Sequence, residues 1–311
     1  MKNNFFLRKP ISILLFVLLT FLTACSSHAE LPFVNLYSDQ DPDAVEQMIN
    51  DDSLVLAIAS VVSPKESLDQ YKDFIVYLEK KLDRPITVIQ KQTYGEVNQL
   101  LQDGKADITI TCSLAFRIGK QAGYLEGLAA PVVDGAQIYQ SYIITNIHNP
   151  YESLDDLQGK RFAFVDPISY SGRLSVLDLL NQKDQNAELY FEDTFYTYSH
   201  DYSIKAAANN SVDGAAVDSL VFDQLLAEDD IDVKSLKIIG KGEWAGTPPI
   251  VIHSELDPAL KAELKDIILS MDEDSTGKRI LTDLHVDKYN EINEVDYAII
   301  DNLIKLLGEQ L

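Results

Sequence analysis

Short apolar runs alternate along this chain with segments whose apolar residues recur every three or four positions. Leu54-Val55-Leu56-Ala57-Ile58-Ala59 is an unbroken run of strand length, ending before Ser63-Pro64. Leu68, Tyr71, Ile75, Leu78 and Leu82 then lay one apolar stripe along a predicted helix. The β-branched stretch 85–90 reads as a strand, and Tyr94 to Leu101 as a short helix stopped near Gly104. The pattern repeats: strand at 106–111, helix at 113–121, extended Tyr142 to Asn146, strand at 160–165, helix at 172–180, helix at 203–208 and buried strand at 215–217. Strands at 236–239 and 249–253 follow, and from Asp257 onward the pattern is mainly helical.

Such alternation predicts an α/β fold with mostly parallel sheets covered on both faces. Two blocks stand out, about 52–141 and 147–246, and the C-terminal helices have no strand pattern of their own. Their return to the first block makes one lobe of 52–141 plus 247–311 and a second of 142–246. The chain then crosses between lobes twice, near Tyr142–Asn146 and near Thr247–His253. Two hinge-crossing strands leave a cleft between the lobes where a small ligand would sit.

The first residues obey a different rule. Lys2, Arg8 and Lys9 precede an apolar stretch from Ile11 to Leu22, then Leu22-Thr23-Ala24-Cys25 and polar Ser26, Ser27 and His28. A basic segment, a short apolar core and a small-residue cleavage site make residues 1–24 a signal peptide. The apolar stretch falls short of the ~20 residues that span a bilayer. Cys25 at the cleavage point resembles the bacterial lipobox, which implies diacylation of its thiol and a chain anchored to the outer face of the cell membrane. Residues 25–51, rich in Asp, Ser, Pro and Asn, read as a tether. With Cys25 acylated, Cys112 remains alone, so no intramolecular disulfide holds the fold.

Charge removes whole classes of partner. The chain has 26 basic and 49 acidic residues, and loss of the leader takes three basic residues and no acidic one. This balance argues against nucleic acid and anionic lipid. Any anion site needs local donors. The five histidines (His28, His148, His200, His253 and His285) have no close spacing for a metal, and there is no Gly-x-Ser-x-Gly or P-loop pattern. No cofactor is expected, and the chain reads as a non-enzyme.

The most informative stretch is Phe164-Val165-Asp166-Pro167-Ile168-Ser169-Tyr170-Ser171-Gly172-Arg173. A strand ends, Pro167 intervenes, and Ser-x-Ser-Gly opens a helix. The first amides of a helix have no intrahelical acceptor and carry partial positive charge. With the two hydroxyls they would suit an oxyanion at the carboxyl end of a strand. The same residues also read as a plain serine N-cap.

The stretch resembles the Ser-x-Ser-Gly signature of the phosphate/phosphite/phosphonate-binding (PhnD-like) solute-binding proteins of ABC transporters. Similar segments follow the family's order: Ser63-Pro64, Tyr94, Gly104-Lys105-Ala106-Asp107-Ile108, Tyr139-Gln140-Ser141-Tyr142, Ser199-His200-Asp201, Asp213-Gly214-Ala215-Ala216-Val217, Thr247-Pro248-Pro249 and Leu256-Asp257-Pro258. The resemblance spans roughly 53–300. It implies a monomeric, two-lobed periplasmic-binding-protein (type II-like) architecture that serves an ABC permease. It also implies ligand contacts from Ser169, Tyr170 and Ser171 on one lobe and Tyr94 and Tyr139 opposite. His200 and Asp201 would touch the remaining face, with Ser63 and Asp218 as further candidates. Asp201 or Asp218 could accept from a protonated ligand oxygen or bind an amino group.

One departure bears on the ligand. Family members usually read Gly-Pro-x-x-Tyr where this chain reads Cys112-Ser113-Leu114-Ala115-Phe116. Cys112 is either a small buried hydrophobe or a soft donor for a thiophilic solute. Arsenite-binding sensory relatives use a cysteine in that way. The alternative expectation is therefore a ligand-sensing subunit for a membrane histidine kinase, binding a thiophilic oxyanion such as arsenite through Cys112.

Overall fold

A computed structural model describes residues 53–310 apart from Ser60, Val62 and Ser63. The leader, the tether, Cys25 and Ser63 therefore lie outside the described residues.

The strands are β1 (Leu54–Ala59), β2 (Ile86–Lys91), β3 (Ile108–Ile110), β4 (Leu125–Val132), β5 (Ile138–Tyr139), β6 (Ser141–Asn146) and β7 (Arg161–Phe164). They continue with β8 (Asp193–Tyr196), β9 (Gly214–Asp218), β10 (Leu236–Lys241), β11 (Ala245–Gly246), β12 (Ile250–His253) and β13 (Lys288–Asn290). One sheet has the order β13-β4-β12-β3-β1-β2 and another the order β10-β6-β9-β7-β8. Each is the floor of one lobe.

The expectation of mostly parallel sheets needs correcting. β1 pairs in parallel with β2 and β3, as β7 does with β8 and β9. By contrast β12 is antiparallel to β3 and β4, and β6 is antiparallel to β9 and β10. β6 and β12 are the strands that have just arrived from the other lobe, so they enter their sheets from the hinge side. The C-terminal segment also adds a strand, β13, antiparallel to β4 at the sheet edge.

The hinge pairs β5 with β11, Tyr139 opposite Ala245 and Ile138 opposite Gly246. Gly242 N–H to the Ser141 carbonyl and Thr247 N–H to the Gln137 carbonyl extend this ladder at both ends. The crossing thus lies a few residues before the expected Tyr142–Asn146, which is taken up in β6. Gly246 has no room for a side chain: a Cβ there would sit 2.5 Å from the Tyr297 ring.

Each lobe has its own core. Leu56, Ile58, Phe74, Leu78, Ile108, Leu264 and Ile268 pack together in the first, and Tyr142, Ile144, Ile204, Val217, Phe222 and Leu236 in the second. The helix Pro64–Leu82 covers the first sheet, and Tyr71, Ile75, Leu78 and Leu82 of the expected stripe pack into or against its core. The helix Ser113–Ala122 carries Arg117, whose guanidinium pairs with Asp301 at 2.6 Å and Glu294 at 2.6 Å. That fork ties the C-terminal helix Ala298–Leu307 to the first lobe.

Candidate ligand-binding cleft

The turn after β7 is built from its own side chains. Asp166 Oδ1 accepts from the Ile168 amide at 2.9 Å, and Ser169 Oγ caps the next turn by accepting from Gly172 N–H at 3.0 Å. Tyr170–Leu174 then form a π-helical turn that runs into the α-helix Ser175–Asn181. Such π turns recur at functional sites because they widen the backbone locally. Gly172 is required sterically: a Cβ would lie 2.5 Å from the Val165 Cβ.

This turn faces a cleft of about 1370 Å³ between the lobes. Tyr94, Thr111, Cys112 and Tyr139 line it from the first lobe and hinge. Ser169, Ser171, His200, Asp201 and Asp218 line it from the second. The strand-to-helix bends of both lobes therefore point at the same space.

Main-chain atoms join the lobes around it. Tyr94 N–H, at the start of the helix Tyr94–Gln102, donates to Asp166 Oδ2 at 3.2 Å. His200 N–H donates to the Val61 carbonyl at 2.9 Å. Cys112 Sγ accepts from Tyr170 N–H at 3.3 Å and donates to the Ile168 carbonyl at 3.4 Å.

His200 heads the helix His200–Ala208 and is buried. Its Nδ1 accepts from Asp218 N–H at 3.0 Å, which leaves the ring proton on Nε2. Burial pushes the imidazole down to about 4, against a smaller opposing pull from Asp201, so the ring is neutral at pH 7. Asp218 caps the helix Ser219–Ala227 through Leu220 N–H at 2.7 Å, and burial pushes its carboxyl up to about 7. Asp201 is held by Ser199 Oγ and by Lys205 Nζ at 3.1 Å. The Tyr94 and Tyr139 phenols are raised well above their usual value, chiefly by burial, and stay protonated donors.

The structure places the Tyr170 side chain away from the cleft. Its hydroxyl donates to the Glu243 carbonyl at 2.7 Å, and its ring packs edge-on against Tyr139 with centroids 5.9 Å apart. Its amide is taken by Cys112. Tyr170 supports the cleft from behind and is absent from its lining. Cys112 does line it, but burial raises the thiol to about 11. A soft-metal ligand needs the thiolate, which this setting disfavours. Thr111 was missed by sequence reasoning because a threonine at a strand end is commonplace. Its signal is structural: it is fully buried, and its Oγ1 has no hydrogen-bond partner among the described residues.

A family model described as "ABC transporter, phosphonate, periplasmic substrate-binding protein" matches residues 56–297. The chain belongs to this family. It is 26% identical over 261 residues to the phosphonates-binding periplasmic protein of Escherichia coli, covering 81% of this chain and 76% of that one. It is 25% identical over 228 residues to the phosphate-import protein PhnD of Mycolicibacterium smegmatis, covering 69% and 70%. Among solved structures, PhnD1 from Prochlorococcus marinus in complex with methylphosphonate superposes with a TM-score of 0.75 at 20% identity, covering 83% of this chain and 99% of that one. The two-lobed α/β architecture is that of periplasmic binding proteins. Family members are substrate-binding components of transporters.

Proposed function

We propose that this chain is a lipid-anchored receptor on the outer face of a bacterial membrane that captures a small phosphorus oxyanion and delivers it to an ABC permease. The observation that carries this reading is the Ser169–Ser171 turn facing Tyr94 and Tyr139 across one cleft. Ser169, Ser171, Tyr94, Tyr139 and the Nε2–H of His200 supply neutral donors. Hydrogen bonds to charged groups contribute about 1.5–3 kcal/mol each, so a set of neutral donors holds an anion without a counter-charge.

Asp218 sets the ligand's protonation. An ionised carboxylate beside an oxyanion is repulsive unless a proton lies between them. Asp218 would accept from a protonated ligand oxygen or an amino group, or remain neutral itself. The names of the relatives, phosphonates-binding and phosphate-import, support this ligand range. The lipobox-like Leu22-Thr23-Ala24-Cys25 supports processing at Cys25, and the receptor would act as a monomer.

Titration calorimetry with phosphate, phosphite, methylphosphonate and aminoethylphosphonate tests the ligand class, and binding of at least one is expected. Failure of all four would sink the proposal. Radiolabelled palmitate should enter the full chain and not Cys25→Ser; equal labelling of the two would remove the anchor.

A further inference from the structure

We infer that Thr111 is a ligand contact, a further hydroxyl donor from the first lobe, an assignment that rests on the oxyanion-receptor reading. Two buried side-chain atoms lack a hydrogen-bond partner among the described residues, Asn98 Oδ1 and Thr111 Oγ1. Of these two residues only Thr111 lines the cleft. It sits one residue past β3, where its amide donates to the Pro249 carbonyl at 3.2 Å and fixes the main chain. Ile108 and Ile110 of β3 point into the first lobe's core. Thr109 Oγ1 is close to the Ile110 carbonyl, at 3.3 Å; Thr111 has no equivalent.

A buried hydroxyl left unpaired is unfavourable in the free protein, and such a group is retained where something else partners it. Its neighbours narrow what that partner is. Ser169 and Ser171 line the same cleft from the second lobe, and the Cys112 thiol next to Thr111 in the chain already holds the Tyr170 amide. That thiol removes one main-chain donor from the turn, and Thr111 supplies a replacement from the opposite wall. The hydroxyl donates to an oxygen of the tetrahedral anion, so the ligand is gripped by hydroxyls on both lobes.

The test compares Thr111→Val, which keeps the shape and deletes the hydroxyl, with Thr111→Ser, which restores it. Each is titrated with the phosphorus oxyanion that binds the wild type, and each is melted without ligand. Thr111→Val should bind about tenfold or more weakly, the fold-change equivalent of one charge-assisted hydrogen bond. Its melting temperature without ligand should be unchanged or higher, because an unpaired buried hydroxyl has gone. Thr111→Ser should bind within about threefold of wild type. Wild-type affinity in Thr111→Val would overturn the assignment and leave the receptor reading intact. So would a lower melting temperature with unchanged affinity, the mark of a purely structural hydroxyl. A wild type that binds none of the four anions overturns both readings.

Discussion

Asp218 and His200 share one hydrogen bond and have opposite responses to burial. The buried imidazole loses affinity for its proton, and the buried carboxyl gains it. Below about pH 7 Asp218 is neutral and tolerates an anion beside it; above, its charge opposes one. Affinity for methylphosphonate should therefore weaken from pH 6 to pH 8.5 more steeply in wild type than in Asp218→Asn, because the ligand's own titration cancels in that ratio. The stability sign follows from linkage. The folded chain holds this proton more tightly than the unfolded one, whose carboxyl titrates near 3.8, so the group's contribution worsens as pH rises from about 4 to about 7. Urea midpoints across that window should fall less in Asp218→Asn, and parallel curves would refute the burial-raised titration of Asp218. Asparagine keeps the acceptor that caps Leu220, so helix loss does not confuse the comparison.

At the scale of elements, legibility followed length and periodicity. The helix Pro64–Leu82 declares itself because it repeats its period several times, and the strand β1 because it is an unbroken apolar run of strand length. β5 and β11 are two residues long, too short for any period, yet they are the hinge. β4 was missed because Glu126, Gly127 and Pro131 interrupt its apolar pattern. The Ser169–Ser171 turn was legible as punctuation, a proline followed by serines and a glycine. That Tyr170 turns away was not, since its partner is a carbonyl more than 70 residues later. Gly172 shows why the turn's sequence is constrained. Alanine there would push Val165 and also crowd Ser169 Oγ, which lies 2.9 Å from the position of the new Cβ. Gly172→Ala should lose roughly 1–3 kcal/mol of stability by overpacking. It should also weaken anion binding, because the cap that shapes the turn moves with it. Urea unfolding and calorimetry on one preparation check both, and unchanged affinity would detach the turn from the ligand.

For the whole molecule, the question is what sets the balance between open and closed lobes. The bonds that cross between the lobes include Tyr94 N–H to Asp166, His200 N–H to Val61, Cys112 to Ile168 and Tyr170, Arg173 to the Gln310 carbonyl, and His285 to Glu228 at 3.0 Å. Each such bond nets about 0.5–1.5 kcal/mol, so the total is small enough for a ligand to shift. Asp166 is the most consequential of these residues, because one oxygen shapes the anion turn and the other reaches the first lobe. Asp166→Ala removes the crossing bond. The binding-competent population falls, and apparent affinity falls by the same factor, about 5- to 30-fold if closure loses about one to two kcal/mol. Small-angle scattering without ligand should show a larger radius of gyration than wild type, and saturating methylphosphonate should restore it. Affinity lost with no change in radius would mean that Asp166 acts only on the turn. The milder Asp166→Asn separates the two effects, since its carbonyl oxygen can keep accepting from Ile168 while its amide faces Tyr94. That variant should open the lobes with the turn intact, and its affinity loss should then track the scattering change alone.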